Sequence, residues 1–139
     1  MNPIYTHNFG VYALIESECR ENILLIKKNQ GPYKGLLDLP GGTPESYEIL
    51  EQTLCRTVIE KTGFDVDHCT QHKTLSSLFE FHKEDKPHVL RHIGVLYHVN
   101  VSGELKLPNN FEENSPLWVK KCDILGRDVT PFVSLYVGK

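Results

Sequence analysis

Gly41 and Gly42 stand between an apolar strand end, Leu39-Pro40, and a charged stretch carrying Glu48, Arg56, Glu60 and Lys61. Adjacent glycines let a backbone turn sharply and approach a ligand closely, because no Cβ intervenes. Carboxylates and backbone carbonyls suit hard divalent cations, and fixed positive side chains suit phosphate. A strand, a glycine loop and a helix in succession would hold such groups rigidly beside exposed backbone. That combination suits a metal or phosphate site.

The helix itself is legible from spacing. Thr43 reads as its N-cap, with Pro44 at the first helical position and Glu45 near the positive helix end. Leu50, Leu54 and Val58 recur every fourth residue and form one apolar stripe for a core, leaving Glu51 exposed. Gly63 stands where helices commonly stop.

From Gly42, five residues lead to Glu48 and seven more to Arg56, with Val58, Glu60, Gly63 and Phe64 following in fixed register. With Leu39-Pro40-Gly41-Gly42 ahead of it, this stretch resembles the signature box of the Nudix hydrolase superfamily. Two positions depart from that pattern: Thr57 and Lys61 stand where the family has glutamates. The resemblance implies an α/β fold, a Nudix-type α/β/α sandwich. Its mixed sheet carries a loop-helix-loop box and a short C-terminal helix, in one domain over residues 1–139. It further implies hydrolysis of a nucleoside diphosphate-linked or related phosphoanhydride compound by water, with Mg2+ or Mn2+. By the same resemblance, Glu60 and the Gly41 carbonyl take metal-ligand positions, and Glu48, Arg56 and Glu60 the catalytic ones. Glu48 and Arg56 would act there chiefly by bracing the loop. Gly42 and Lys61 fall beside the substrate.

The two departures bear on that chemistry. Positions 57, 60 and 61 are spaced i, i+3 and i+4, so their side chains share one helix face. Three glutamates would place three negative charges there, whereas Glu60 with Lys61 sums to zero. Unit charges 4 Å apart interact by about 4 kcal/mol at an effective dielectric near 20, so ammonium for carboxylate is a severe exchange. Metal is therefore expected to bind weakly, or only with substrate. The Lys61 ammonium is expected to take part of the metal's charge role beside Glu60. The leading expectation is a weak hydrolase; the alternative is a catalytically silent module that binds a phosphorylated ligand. Glu45 and Glu51 could serve as substitute ligands or as solvated helix charge. The charged stretch from Glu80 to His88 offers Glu84 and Asp85 as compensating carboxylates, or is a plain solvated loop.

Composition sets the broad class. The chain has 139 residues, 40% hydrophobic and 24% charged, which is ordinary for one globular domain. A net charge of -3 gives no overall pull towards nucleic acid or anionic membrane. A small phosphorylated, nucleotide-like ligand is the expected partner, with no membrane and no nucleic acid polymer; a homodimer is left open. No apolar run reaches spanning length and the start lacks a secretory pattern, so the expected location is cytoplasmic. Cys19, Cys55, Cys69 and Cys122 have no close pairing and read as reduced thiols. The seven histidines match no zinc spacing. His92 and His98 share a strand face, which packing or solvent exposure explains.

In chain order, strands are expected over 9–15, 23–28, 36–39, 73–81, 91–101 and 117–119. Polar turns fall at 16–22 and 29–34, a charged loop at 82–88, and a loop at 102–116 containing Asn109-Asn110 and Glu112-Glu113. Thr130-Pro131 opens a short closing helix. Tyr33, Lys34, Phe81 and Tyr97 could stack on a base or meet a phosphate, or fill plain packing roles.

Overall fold

Side chains alternate between the two faces of a strand, and the first strand, β1 (Ile4–Leu14), is apolar on both faces at its C-terminal end. A computed structural model describes residues 2–106 and 115–137 and shows what covers each face. Further strands are β2 (Asn22–Lys27), β3 (Leu37–Asp38), β4 (Gly41–Gly42), β5 (Asp65–Lys83), β6 (Lys86–Ser102) and β7 (Pro116–Lys120). Helices are α1 (Leu50–Thr62) and α2 (Pro131–Val137), with a 3-10 turn over Lys121–Gly126.

One sheet runs β4-β1-β6-β5 and a second runs β3-β2-β7. Only β1 with β6 is parallel; every other pairing is antiparallel, so the first sheet is mixed. Val11, Ala13 and Ile15 join Leu24, Val95, Tyr97 and Val99 under Leu54 and Val58 of α1. Tyr12, Leu14, Ile23, Leu25 and Leu96 face the other way, onto Phe132 and Val133 of α2 and Ile124 of the 3-10 turn. This is the expected α/β/α sandwich. Leu54 and Val58 are fully buried, whereas Leu50 is only half-buried at the rim, a correction to the expected stripe. Among the described residues, no helix is long and apolar enough to cross a membrane.

Besides β1, which starts at Ile4 rather than the expected Phe9, three boundaries differ from the sequence reading. The helix begins at Leu50, six residues after the expected first helical residue Pro44. The Thr43 hydroxyl donates to the Asn8 side chain at 3.2 Å and caps nothing. Instead Gln52 Oε1 accepts the Ile49 N–H at 2.9 Å, so the first turn is closed from within the helix. Second, the polar joint after Phe64 and the loop at 82–88 are strand. β5 and β6 meet in a two-residue turn, Glu84-Asp85, with φ of +54° and +62°. Left-handed values at both positions mark the turn type that matches strand twist, and Asp tolerates it. Third, the Lys121–Gly126 turn carries no signal that the sequence reading used. Asn109-Asn110 and Glu112-Glu113 lie outside the described residues.

At its other end the helix stops as expected. Gly63 has φ of +82° and its N–H reaches the Ile59 carbonyl at 3.0 Å, the left-handed cap for which glycine is suited.

Candidate functional site

The seven residues between β4 and α1 have no regular structure, yet one ion pair fixes them. Arg56 Nε donates to Glu48 Oε2 at 2.7 Å and Arg56 Nη2 to Glu48 Oε1 at 2.9 Å. Glu48 Oε1 also accepts the Glu45 N–H at 2.9 Å and the Thr53 hydroxyl at 3.0 Å. Arg56 Nη2 reaches the Thr43 carbonyl at 3.3 Å as well. Two parallel bonds of this kind fix direction as well as distance. Glu48 and Arg56 thus tie both ends of the loop to the helix.

That geometry sets a titration. The Arg56 hydrogen bond, then the Glu45 amide, hold the Glu48 carboxyl at about 2, below its ordinary 4.5. The folded chain therefore binds fewer protons here than the unfolded one. The associated stability is present in full above pH 4.5 and is lost as pH falls towards 2. Glu48→Gln is expected to flatten the fall in urea midpoint across that window. Parallel pH curves for variant and wild type would assign the acid loss elsewhere.

The glycine pair is pinned on its other side. Gly42 lies opposite Val11 and Gly41 opposite Tyr12 on β1. A Cβ on Gly41 would stand 2.1 Å from the Val11 carbonyl oxygen, so only glycine fits. The Gly41 carbonyl accepts a hydrogen bond from Lys61 Nζ. Burial, then the neighbouring Lys28 ammonium, push Lys61 down to about 8, against the opposing pull of Asp38 and Glu60. Thr57 is buried, and its hydroxyl donates to the Thr53 carbonyl at 2.8 Å. Its Cγ2 faces Gly42. Glu60, more than half exposed, accepts from Arg56 Nη1 at 3.2 Å.

This donor set does not fit a hard dication held by the protein. Such an ion needs several oxygens at once. Gly41 and Glu60 were the expected metal ligands, but the Gly41 carbonyl carries an ammonium and the Glu60 carboxylate a guanidinium. Among the described residues, no cluster of three His, Cys, Asp or Glu side chains could hold a metal. Glu51 accepts the Tyr97 hydroxyl at 2.7 Å, and Glu45 is exposed. Glu84 and Asp85 are remote: Gly42 is level with Val95 through Val11, and the turn lies ten residues before Val95, ahead of the start of β6. That is about 30 Å of strand, too far to complete the site within one chain.

Several site residues escaped the sequence reading. Asp38 is 3% exposed and accepts the Leu39 N–H and the Thr130 hydroxyl, both at 2.8 Å. Burial raises its pKa, while the Lys28 and Lys61 ammonium groups lower it. A lone aspartate inside Leu36-Leu37-Asp38-Leu39 was a visible signal, since a charge in an apolar strand needs a partner. His92 is buried too, its Nε2 2.7 Å from the Tyr12 hydroxyl and its Nδ1 2.9 Å from the Tyr33 hydroxyl. Burial and Lys28 press it down to about 4, so at neutral pH it is uncharged. One tyrosine then donates to the ring and the other accepts from it. His98, on the same strand face, is exposed against His72. Of the other aromatic candidates, Tyr33 is buried and Phe81 stacks on His88; Lys34 is exposed.

Comparison with known proteins agrees with this architecture. The NUDIX domain pattern matches residues 5–131. The ADP-ribose pyrophosphatase of Methanocaldococcus jannaschii is 31% identical over 112 residues, 79% of this chain and 62% of that protein. The chain thus spans less than two thirds of that relative. The MutT NUDIX hydrolase of Burkholderia pseudomallei superposes with a TM-score of 0.75 at 21% identity, covering 96% of this chain and 97% of that one. The NUDIX domain of Shewanella oneidensis NrtR, solved with ADP ribose, gives 0.72 at 20% identity, covering 96% and 85%. These two likenesses establish the fold alone. With the pattern matched from β1 into α2, and Glu48, Arg56, Glu60 and Gly63 in the box register, this chain belongs to the NUDIX domain family.

Proposed function

We propose that the domain binds a small, nucleotide-like phosphorylated compound without a protein-held metal ion and without turning it over. The observation that carries this reading is the Lys61 ammonium on the Gly41 carbonyl. It supplies fixed positive charge where the family resemblance expects a dication. Hydrolysis needs a polarised phosphate and an activated water as well. Thr57 has no carboxylate to offer, and its hydroxyl is spent inside the helix. A hydrolase reading retains some support from Glu48, Arg56 and Glu60, and from the relative named an ADP-ribose pyrophosphatase. That name and the ADP ribose in the NrtR domain make compounds of this class the first to try.

The experiment is a panel of ADP-ribose, nucleoside diphosphate sugars, dinucleotide polyphosphates and nucleoside triphosphates. Each is titrated by calorimetry in chelator, then incubated with Mg2+ or Mn2+ and followed by chromatography. Expected are binding in chelator, weakening in Lys61→Ala, and no product. Manganese-dependent turnover that disappears in Glu60→Gln would replace the binding reading with the hydrolase.

A further inference from the structure

Away from the glycine loop, the fold brings together two histidines that lie far apart in the chain. His98 stands on β6 opposite Leu14 and Thr70, on the sheet face that Leu14 turns to α2. His72 falls between Gln71, opposite Tyr97, and Lys73, opposite Leu96, so it is the extra residue of a bulge in β5. Bulges interrupt the ladder and re-aim a side chain. Here the His72 ring is set against the His98 ring, centre to centre at 4.4 Å, and stands 6.4 Å from Tyr136 of α2. Both imidazoles are exposed. Helix α1 packs on the opposite face of the sheet.

Two imidazoles this close have the spacing of a chelate. Zinc holds an imidazole nitrogen at about 2.1 Å, and the ring centre lies about 1.1 Å beyond it. Rings meeting at about 90° to 110° on one ion therefore have centres about 4.5 to 5.2 Å apart. The observed 4.4 Å lies just under that span. Two exposed rings open by so little through small χ rotations. Imidazole nitrogen suits zinc, copper and nickel, whereas magnesium and calcium take oxygen. Among the described residues, no third His, Cys, Asp or Glu completes a cluster with the pair. His98 also lines a cleft of about 430 Å3 with Asn100 and Trp118, and the Glu16 of that cleft is tied to Lys121.

We propose that His72 and His98 chelate a divalent transition cation of the zinc class at the β5 bulge. Water from the cleft fills the positions that the two imidazoles leave. The ion bridges the edge strand β5 to β6 where the bulge interrupts their pairing, and so ties the two strands together beside α2. The metal-free reading of the glycine loop concerns hard dications on oxygen ligands, so neither conclusion depends on the other.

The test is calorimetric titration of Zn2+ into wild type, His72→Gln, His98→Gln, His68→Gln and Glu60→Gln. His68 shares the face, but its Nε2 lies 3.2 Å from the Thr70 hydroxyl, which makes it the control for surface histidines in general. One zinc ion per wild-type chain is expected, weakened about tenfold or more in His72→Gln and in His98→Gln. His68→Gln and Glu60→Gln should keep the wild-type affinity, and excess Mg2+ should not displace the ion. On wild type alone, zinc should shield His72 and His98 from diethyl pyrocarbonate, mapped by mass spectrometry, which keeps the test alive should a variant fail to fold. Undiminished zinc affinity in folded His72→Gln or His98→Gln, or equal modification of both rings with and without zinc, would overturn the assignment. So would no zinc binding by wild type, or an equal loss in His68→Gln or Glu60→Gln, which would place the ion elsewhere.

Discussion

Thr57→Glu combined with Lys61→Glu is expected to create manganese affinity where the wild type has little. The face at 57, 60 and 61 would pass from net zero to three carboxylates, and the Gly41 carbonyl would lose its ammonium. Each unit charge at 4 Å is worth about 4 kcal/mol at an effective dielectric near 20, less where solvent screens it, as at the exposed Glu60. Even heavily discounted, three such changes acting on a dication amount to about a hundredfold or more in affinity. Thr57 is buried with its Cγ2 facing Gly42, so a longer side chain at 57 meets glycine backbone there rather than another side chain. The measurement is calorimetric titration with manganese, alongside a urea melt to show that the variant folds. Wild-type protein binding manganese as tightly as the variant would mean that this box never lost its metal.

Leu54→Ala is expected to carry the largest loss of stability, about 2 to 5 kcal/mol. Leu54 is fully buried in the layer between α1 and the mixed sheet, among Val58, Val11, Ala13 and Val95. Its removal leaves a cavity walled by two strands and a helix, none of which can close without breaking its own ladder. Against a typical total of about 5 to 15 kcal/mol this is a large share, and it should lower the urea midpoint without changing the slope. Leu50→Ala on the half-buried rim should cost clearly less. A Leu54→Ala loss below about 0.5 kcal/mol would mean that the helix buries another face.

The box was readable because its signals are local and covalently close. Glycines that must approach a neighbour, an apolar stripe at helical spacing and a glycine stop all act within about twenty residues of one another. The helix start was misread for the converse reason. Thr43-Pro44-Glu45 is a sound local start signal, but Arg56, more than ten residues on, captures Glu48 and holds the intervening chain as a loop. Long-range electrostatics outweighed local propensity. The β5–β6 hairpin was read short because Lys, Glu, Asp and His at 82–88 suggest a loop, although edge-exposed strands carry such residues readily. The cavity lined by Asn8, Lys28, Asp38 and His92 was the least legible part. These residues come from four different strands or strand ends in two separate sheets, and strand pairing within each sheet together with the packing of one sheet on the other brings them together. No window along the chain contains that information.

The parallel pairing of β1 with β6 joins residues 84 positions apart at every step, from Ile4↔His88 to Leu14↔His98. The β5–β6 hairpin, by contrast, zips from a two-residue turn. Closing a long segment loses more chain entropy than closing a short one, and contacts of high sequence separation form late. On this topology the hairpin is an early scaffold and β1 a late arrival. Gly41 and Gly42 pair only with β1, so they take their places after it. A site completed after the rate-limiting step contributes little to how fast the chain folds and much to how slowly it comes apart. An anion gripped at Lys61 would thus lengthen the lifetime of the folded state and leave its rate of formation almost untouched.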